Sequence, residues 1–130
     1  IELAHGYTYS GHPVACAAGL AALDIYEREG LFERARELED HWAQRAHQLA
    51  DAPGVIDVRI FGLVAGVELA LRADAPGQRA FGIFRHCFDA GLLIRVTADI
   101  IALSPPLIVT TEQIDRIFDT LAEAIHGVPQ

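Results

Sequence analysis

VIDVRIFGLVAGVELAL, residues 55–71, decides the fold of this chain. Two β-rich runs, over 55–61 and 63–71, flank Gly62. In the second run an apolar residue occupies every other position, which is the alternation of a strand with one buried face. The alternating residues are Leu63, Ala65, Val67, Leu69 and Leu71. The pattern therefore predicts two neighbouring strands in the middle of the chain.

The residues after this stretch alternate between helical and extended patterns. A turn over 74–77 precedes a predicted helix over 78–90, which Gly91 ends. Two further strands are predicted over 92–96 and 100–103. We expect the helix over 78–90 to turn Phe81, Phe84, Cys87 and Phe88 inward.

The last predicted helix spans 111–126 and opens with Thr110 and Gln113, a possible capping box. Its apolar residues at helical spacing are Ile114, Ile117, Phe118, Leu121 and Ile125. Strands grouped together and covered by helices are typical of a two-layer α+β domain. We expect this small domain over 54–130, with a mostly antiparallel sheet.

Two helices are predicted upstream of the strands. The first, over 13–29, has Pro13 in its first turn, where the missing N–H costs nothing. Because this helix has small apolar residues on nearly every side, we expect it to pack against other elements. The second, over 31–51, is amphipathic and ends before Pro53-Gly54. Both helices are expected to connect the sheet to a further part of a longer protein.

Composition excludes several classes of function. The 130 residues carry a formal charge of −8, and all ten basic residues are scattered arginines. An acidic chain without a basic stripe favours neither nucleic acid nor a membrane surface, and neither a span nor a signal peptide is predicted. Cys16 and Cys87 are interpreted as buried small hydrophobes in a reducing compartment, which favours the cytoplasm.

The run HGYTYSGHP, residues 5–13, is chemically the most distinctive. Glycines that permit close backbone approach, hydroxyl side chains and a following helix start are suited to holding a phosphate. The alternative is a loop tied down by its own hydroxyls. It is not a Walker loop, since no lysine follows, and it is not a dinucleotide fingerprint, since no strand precedes it.

This run and the following VACAAGLAALDIYEREGLFERA resemble the C-terminal third of class III aminotransferases, which are fold-type-I pyridoxal-phosphate (PLP) enzymes. The resemblance continues through VIDVRIFGLVAGVEL, AGLLIRVTADIIALSPPLIVT and EQIDRIFDTLAEAI. It is closest to omega-amino-acid–pyruvate (beta-alanine–pyruvate) aminotransferases. It implies transfer of an amino group from an omega-amino acid or amine to pyruvate by a homodimer with shared active sites.

The resemblance also implies site residues. Thr8 matches the threonine that binds the cofactor phosphate of the neighbouring subunit, and Tyr7 matches the aromatic beside it, near that neighbour's substrate pocket. Arg95 matches the arginine that recognises a substrate carboxylate. In some relatives a polar residue facing the substrate stands where this chain has Ala102. The Schiff-base lysine has no counterpart, so no catalytic residue is assigned and this chain alone is expected to be inactive.

The same resemblance implies a division of the chain. Residues 1–30 would be the end of the large PLP-binding domain, 31–53 a linking helix and 54–130 the small C-terminal domain. A non-catalytic α+β module that binds a ligand or partner remains an alternative. Another is a different PLP reaction, such as that of an aminomutase, racemase or decarboxylase.

Individual residues carry structural alternatives. Arg95 could be a surface arginine paired with Asp99, and Glu68 is interpreted as a residue of the polar sheet face. A metal site is rejected, because the histidines form neither a Cys/His cluster nor an i, i+4 pair. They are interpreted as surface or capping residues: His5, His12, His41, His47, His86 and His126.

Overall fold

The computed structural model describes residues 6–128, which form four helices and four strands. The helices are α1 (Pro13–Arg28), α2 (Leu31–His47), α3 (Gln78–Asp89) and α4 (Thr111–Gly127). The strands are β1 (Val55–Phe61), β2 (Val64–Leu69), β3 (Arg95–Thr97) and β4 (Ile100–Leu103). His5, a candidate histidine of the opening run, lies outside the described residues. Every predicted helix and strand has a counterpart in this order.

The four strands form one sheet in the order β1-β2-β4-β3, and each neighbouring pair is antiparallel. This confirms the predicted α+β fold. The strand predicted over 92–96 is wrong in its extent, since β3 begins only at Arg95. The reason is that the N–H of Leu92 donates to the carbonyl of Cys87 at 2.8 Å, which prolongs the end of α3.

The core lies between one face of this sheet and the helices α2, α3 and α4. Ala65, Val67 and Leu69 point into it, as the alternation predicts, whereas Leu71 lies beyond β2 and is 68% exposed. From α2, Trp42 contacts Phe118 of α4 edge to face, with ring centroids 4.8 Å apart. The amphipathic second helix is therefore also part of the helical layer over the sheet.

The inward face predicted for α3 is only partly correct. Cys87 is buried and Phe84 is half-buried against the core, whereas the prediction is wrong for Phe81 and Phe88. Ala80, Ile83 and Cys87 are buried, whereas Phe81 and Phe88 are 49% and 60% exposed. The three phenylalanine rings stack along α3, with Phe84 lying 6.0 Å from Phe81 and 6.1 Å from Phe88 between ring centroids. Both sets of residues have helical spacing, so periodicity alone does not choose between them.

The prediction for α4 is confirmed. Ile114, Phe118, Leu121 and Ile125 are buried, and Ile117 is half-buried. The capping box is also present, because Thr110 and Gln113 each accept the other's backbone N–H through their side chains, at 3.2 and 2.9 Å. The start of α4 is thus fixed by its own sequence.

Helix α1 differs from the other three, because none of its residues is buried. It approaches α2, where Tyr26 contacts Phe32 with ring centroids 5.4 Å apart. Cys16 on this helix is exposed, so the prediction that it is buried is wrong, while Cys87 is buried as expected. Across residues 6–128 no helix has both the length and the apolar character needed to cross a membrane.

Candidate functional site

The loop before α1 is ordered by hydrogen bonds among its own residues. The N–H of Ser10 donates to the carbonyl of Tyr7 at 2.9 Å, and the N–H of Tyr7 donates to Oγ of Ser10 at 2.7 Å. Gly11 has a φ of +75°, a left-handed conformation that favours glycine. The hydroxyl of Ser10 therefore holds the turn, as the structural interpretation of this loop expects.

Thr8 is the residue of this loop that remains available to a ligand. It is exposed, and within residues 6–128 neither its hydroxyl nor its N–H has a hydrogen-bond partner. Beside it, the side chain of Tyr7 is 77% exposed. An O–H and an N–H on one exposed residue suit the oxygens of a phosphate.

The start of α1 contributes less than the sequence predicts. Pro13 has no N–H, while the N–H of Ala15 faces Nδ1 of His12 at 3.4 Å. The N–H of Cys16 donates to the carbonyl of His12 at 2.9 Å, so two donors near the helix start are engaged. His12 has the predicted capping role. An anion at this loop would therefore meet Thr8 more readily than the helix end.

Arg95 begins β3 at the edge of the sheet and is exposed. Its cross-strand partner is Ala102, which in turn lies opposite Gly66 on β2. Directly paired residues point to the same side of an antiparallel sheet, so these three share the face that the helices leave uncovered. Two small neighbours leave the guanidinium room above the sheet.

The suggested ion pair between Arg95 and Asp99 is absent. Both carboxylate oxygens of Asp99 instead accept the N–H of Gly77, at 3.2 and 3.1 Å. Among the described residues the guanidinium of Arg95 has neither a hydrogen bond nor an ion pair, so its donors are free for a ligand.

Arg59 lies on the same face of the sheet and, unlike Arg95, has a guanidinium that is ion-paired. It belongs to the same cross-strand row as Arg95, through Gly66 and Ala102. Its Nη1 contacts Glu68 and Asp57, each at 2.5 Å. These hydrogen bonds, first that of Glu68 and then that of Asp57, raise the pKa of Arg59 above its usual value. Glu68 therefore has the polar-face role predicted for it.

A cavity of about 900 Å³ lies beside Arg95. Its lining is mainly aliphatic and aromatic, and Arg95 is its one charged residue. Ser104 and Ala102 lie in the same wall. Because an apolar surround weakens competition from water, a guanidinium at such a site favours a bidentate carboxylate.

The other polar clusters belong to the scaffold. Residues 6–128 contain no group of three or more His, Cys, Asp and Glu side chains that could hold a metal ion. His41 contacts Asp115 at 2.9 Å between Nε2 and Oδ1, which joins α2 to α4. Thr8 and Arg95 are not joined by any hydrogen bond within the described part of the chain.

Comparison with known proteins identifies the family of this chain. The family model of class-III aminotransferases matches residues 2–125. This chain belongs to the class-III aminotransferases. It is 58% identical over 128 residues to an omega-aminotransferase of Caulobacter vibrioides, and 41% identical over 128 residues to a beta-alanine–pyruvate aminotransferase of Pseudomonas aeruginosa. These matches cover 98% of this chain and 29% of each relative.

Solved aminotransferase structures share the fold. A PMP-bound aminotransferase from Vibrio fluvialis superimposes with a TM-score of 0.84 at 32% identity, covering 97% of this chain and 29% of that one. An omega-aminotransferase from Paracoccus denitrificans gives a TM-score of 0.85 at 33% identity, covering 98% and 30%. This class-III chain thus spans less than a third of the length of the relatives it matches.

Sequence reasoning missed two parts of this candidate site. The apolar cavity joins residues as distant along the chain as Trp42 and Pro106, and no local pattern indicates that closeness. The bond from Gly77 to Asp99 is the second, because the nearness of Arg95 along the chain suggests a different partner for Asp99. A signal did exist, since Asp commonly accepts N–H groups at turns and helix starts.

Proposed function

We propose that this chain is a segment of a longer PLP-dependent aminotransferase that moves an amino group from an omega-amino acid or amine to pyruvate. Membership of the class-III family and the names of the relatives support the reaction class. The observation that carries the proposal is Arg95, whose guanidinium is unpaired within residues 6–128 and lies beside a mainly apolar cavity. Both pyruvate and an omega-amino acid present the carboxylate that such a group binds.

The opening loop fits the phosphate of PLP. When bound, PLP supplies the electron-withdrawing ring on which amino transfer depends. The hydroxyl and N–H of Thr8, which have no partner within residues 6–128, would donate to the phosphate oxygens. In a homodimer, Thr8 would serve the cofactor of the neighbouring subunit, and exposed Tyr7 would lie near that neighbour's substrate pocket.

Arg95 has a separate role in this proposal. Its guanidinium would bind the substrate carboxylate through two parallel hydrogen bonds and so orient the amino or carbonyl end toward the cofactor. The apolar cavity wall would keep water from competing for the same donors. Thr8 and Arg95 therefore divide the work between holding the cofactor and orienting the substrate.

The proposed division of the chain follows from these roles. Residues 1–30 would belong to the large PLP-binding domain, 31–53 would link it to the small domain, and 54–130 would form that small domain. The chain contains no lysine. It therefore cannot hold PLP through a lysine side chain, and we expect it to be inactive alone. We place the full-length enzyme in the cytoplasm.

Two alternatives compete with this function. A non-catalytic α+β module is disfavoured, because the family match begins at residue 2 and so includes the loop and α1 as well as the sheet. A different PLP reaction, that of an aminomutase, racemase or decarboxylase, would use the same cofactor loop. Formation of alanine from pyruvate and an amine donor distinguishes transfer from these reactions.

The experiment that tests the proposal is the substitution Arg95→Ala in the full-length enzyme. We expect the KM for pyruvate and for beta-alanine to rise roughly 10- to 100-fold, since hydrogen bonds to charged groups contribute about 1.5–3 kcal/mol each. Arg85→Ala is the matched control, because Arg85 is exposed and lies outside the cavity lining. An unchanged KM in Arg95→Ala would contradict the assigned role.

A further inference from the structure

The β3–β4 hairpin that carries Arg95 has a strained tip. Thr97 pairs with Ile100, which leaves a turn of two residues, Ala98 and Asp99. Ala98 has a φ of +50° and is the one non-glycine residue with positive φ within residues 6–128. Because such positions usually carry Gly or Asn, contacts outside the turn must hold this conformation.

Those contacts come from Asp99. Its carboxylate is buried, with 7% of the residue exposed, and both oxygens accept the N–H of Gly77. Its carbonyl accepts the N–H of Leu69 at 2.9 Å, which ties the tip to the end of β2. No cation in the described part of the chain lies within ion-pairing distance of Asp99. Since Gly77 is the N-cap of α3, the positive end of that helix offsets the buried charge.

Gly77 is fitted to this contact. Its φ of +75° favours glycine, and a Cβ placed there would lie 3.7 Å from the carbonyl oxygen of Ala98. The turn therefore rests directly on the backbone at the start of α3. The hairpin tip and the helix start form one packed unit.

Arg95 depends on that unit because its strand is short. β3 has three residues, lies at the edge of the sheet and pairs with β4 alone. A strand with one neighbour and three residues has little pairing of its own to fix its direction. Its two ends are held by the Leu92 to Cys87 bond before it and by Asp99 after it.

We propose that Asp99 is a positioning residue for Arg95, acting through the β3–β4 hairpin, so that carboxylate recognition depends on a buried carboxylate that never touches the substrate. This inference rests on the proposed function, because it concerns the same substrate carboxylate. Asp99 holds the tip on α3, the tip fixes β3, and β3 directs the guanidinium into the cavity.

The test is Asp99→Ala in the full-length enzyme. The KM for beta-alanine rises roughly tenfold, because a small displacement of a recognition group costs much of its binding. The kcat at saturating beta-alanine and pyruvate changes less than twofold. The dissociation constant of propionate, an unreactive carboxylate, rises by the same factor as the KM in titration calorimetry. Asp99→Asn keeps an acceptor for the Gly77 N–H and gives a smaller shift in both quantities.

Thr110→Ala is the matched control, since it removes a helix cap without touching the hairpin. It lowers stability but leaves carboxylate affinity unchanged. Equal shifts in Thr110→Ala and Asp99→Ala would overturn the positioning role. If Asp99→Ala does not fold, Asp99→Asn is the deciding variant. Faster amide exchange over 95–101 in Asp99→Asn together with wild-type affinity for propionate would overturn the positioning role.

The positioning role and the proposed function fail in distinguishable ways. Loss of carboxylate affinity in Arg95→Ala together with wild-type affinity in Asp99→Ala refutes the positioning role alone. Wild-type affinity in Arg95→Ala refutes the proposed role of Arg95, and the role of Asp99 is refuted with it.

Discussion

Helix α1 leaves its apolar side chains exposed, whereas the other three helices bury apolar side chains in a core. α1 is rich in Ala and Leu but buries none of its residues, whereas α2, α3 and α4 place side chains such as Trp42, Cys87 and Phe118 in one shared core. Apolar composition thus does not produce burial unless another element supplies the opposing face. The loop that carries Thr8 belongs to the exposed region, and Arg95 belongs to the region with its own core.

The largest difference between the two regions is expected in stability. Phe118→Ala removes a fully buried ring and should lower the free energy of unfolding by about 3–5 kcal/mol. Leu20→Ala in α1, where Leu20 is 65% exposed, should change it by less than about 0.5 kcal/mol. Urea unfolding of this chain followed by circular dichroism measures both. Comparable losses would mean that α1 is packed against the core.

The two cysteines provide a second contrast. Burial raises the pKa of the Cys87 thiol to about 11, whereas Cys16 is exposed. A thiol reagent at neutral pH should therefore modify Cys16 in the folded chain and Cys87 only after unfolding. Mass spectrometry of the labelled peptides checks this. Labelling of Cys87 at the rate of Cys16 would contradict the burial.

Cys87 also predicts a pH dependence of stability. Because its pKa is higher in the folded state than the ordinary 9.0, the folded state holds this proton more tightly. Stability is then unaffected below pH 9 and falls as the pH rises toward about 11, by on the order of 2 kcal/mol. Cys87→Ala should lose this dependence. If wild type and Cys87→Ala lost the same stability at alkaline pH, the loss would come from groups other than Cys87.

A smaller contrast concerns the helix caps. Thr110→Ala removes a complete capping box from α4 and should cost about 1 kcal/mol. His12→Ala removes a single long contact of 3.4 Å from exposed α1 and should cost less than about 0.5 kcal/mol. Thermal unfolding of the two variants against wild type compares the costs. A larger loss of stability in His12→Ala than in Thr110→Ala would contradict the expectation that the cap of α4 contributes more than the cap of α1.

The fold was predictable from the sequence in those elements whose apolar pattern coincides with the face that is buried. The alternation before Leu69 and the spacing from Ile114 to Ile125 identified buried faces correctly, because the core lies on that side. The pattern failed in part for α3, where Phe81 and Ala80 begin two equally spaced faces and the face of smaller residues is the one fully buried. It failed for Cys16 because no residue of α1 is buried among residues 6–128.

The site residues came from chemistry and family resemblance rather than from pattern. Arg95 and Thr8 were identified that way, and the structure adds that within residues 6–128 neither the guanidinium of Arg95 nor the hydroxyl of Thr8 has a hydrogen-bond partner. The sequence indicates that Asp99 can accept an N–H at a turn or helix start, but not which one, since Gly77 lies 22 positions away along the chain and offers only a backbone N–H.

The affinity of the full-length enzyme for PLP tests most directly whether the two regions have separate roles. Thr8→Ala should weaken PLP binding roughly tenfold or more, because a phosphate loses a charge-assisted hydrogen bond, while Thr8→Ser should restore most of it. Arg95→Ala should bind PLP as wild type does. Wild-type PLP affinity in Thr8→Ala, or an equal loss in Arg95→Ala, would contradict the division of cofactor and substrate binding between the two regions.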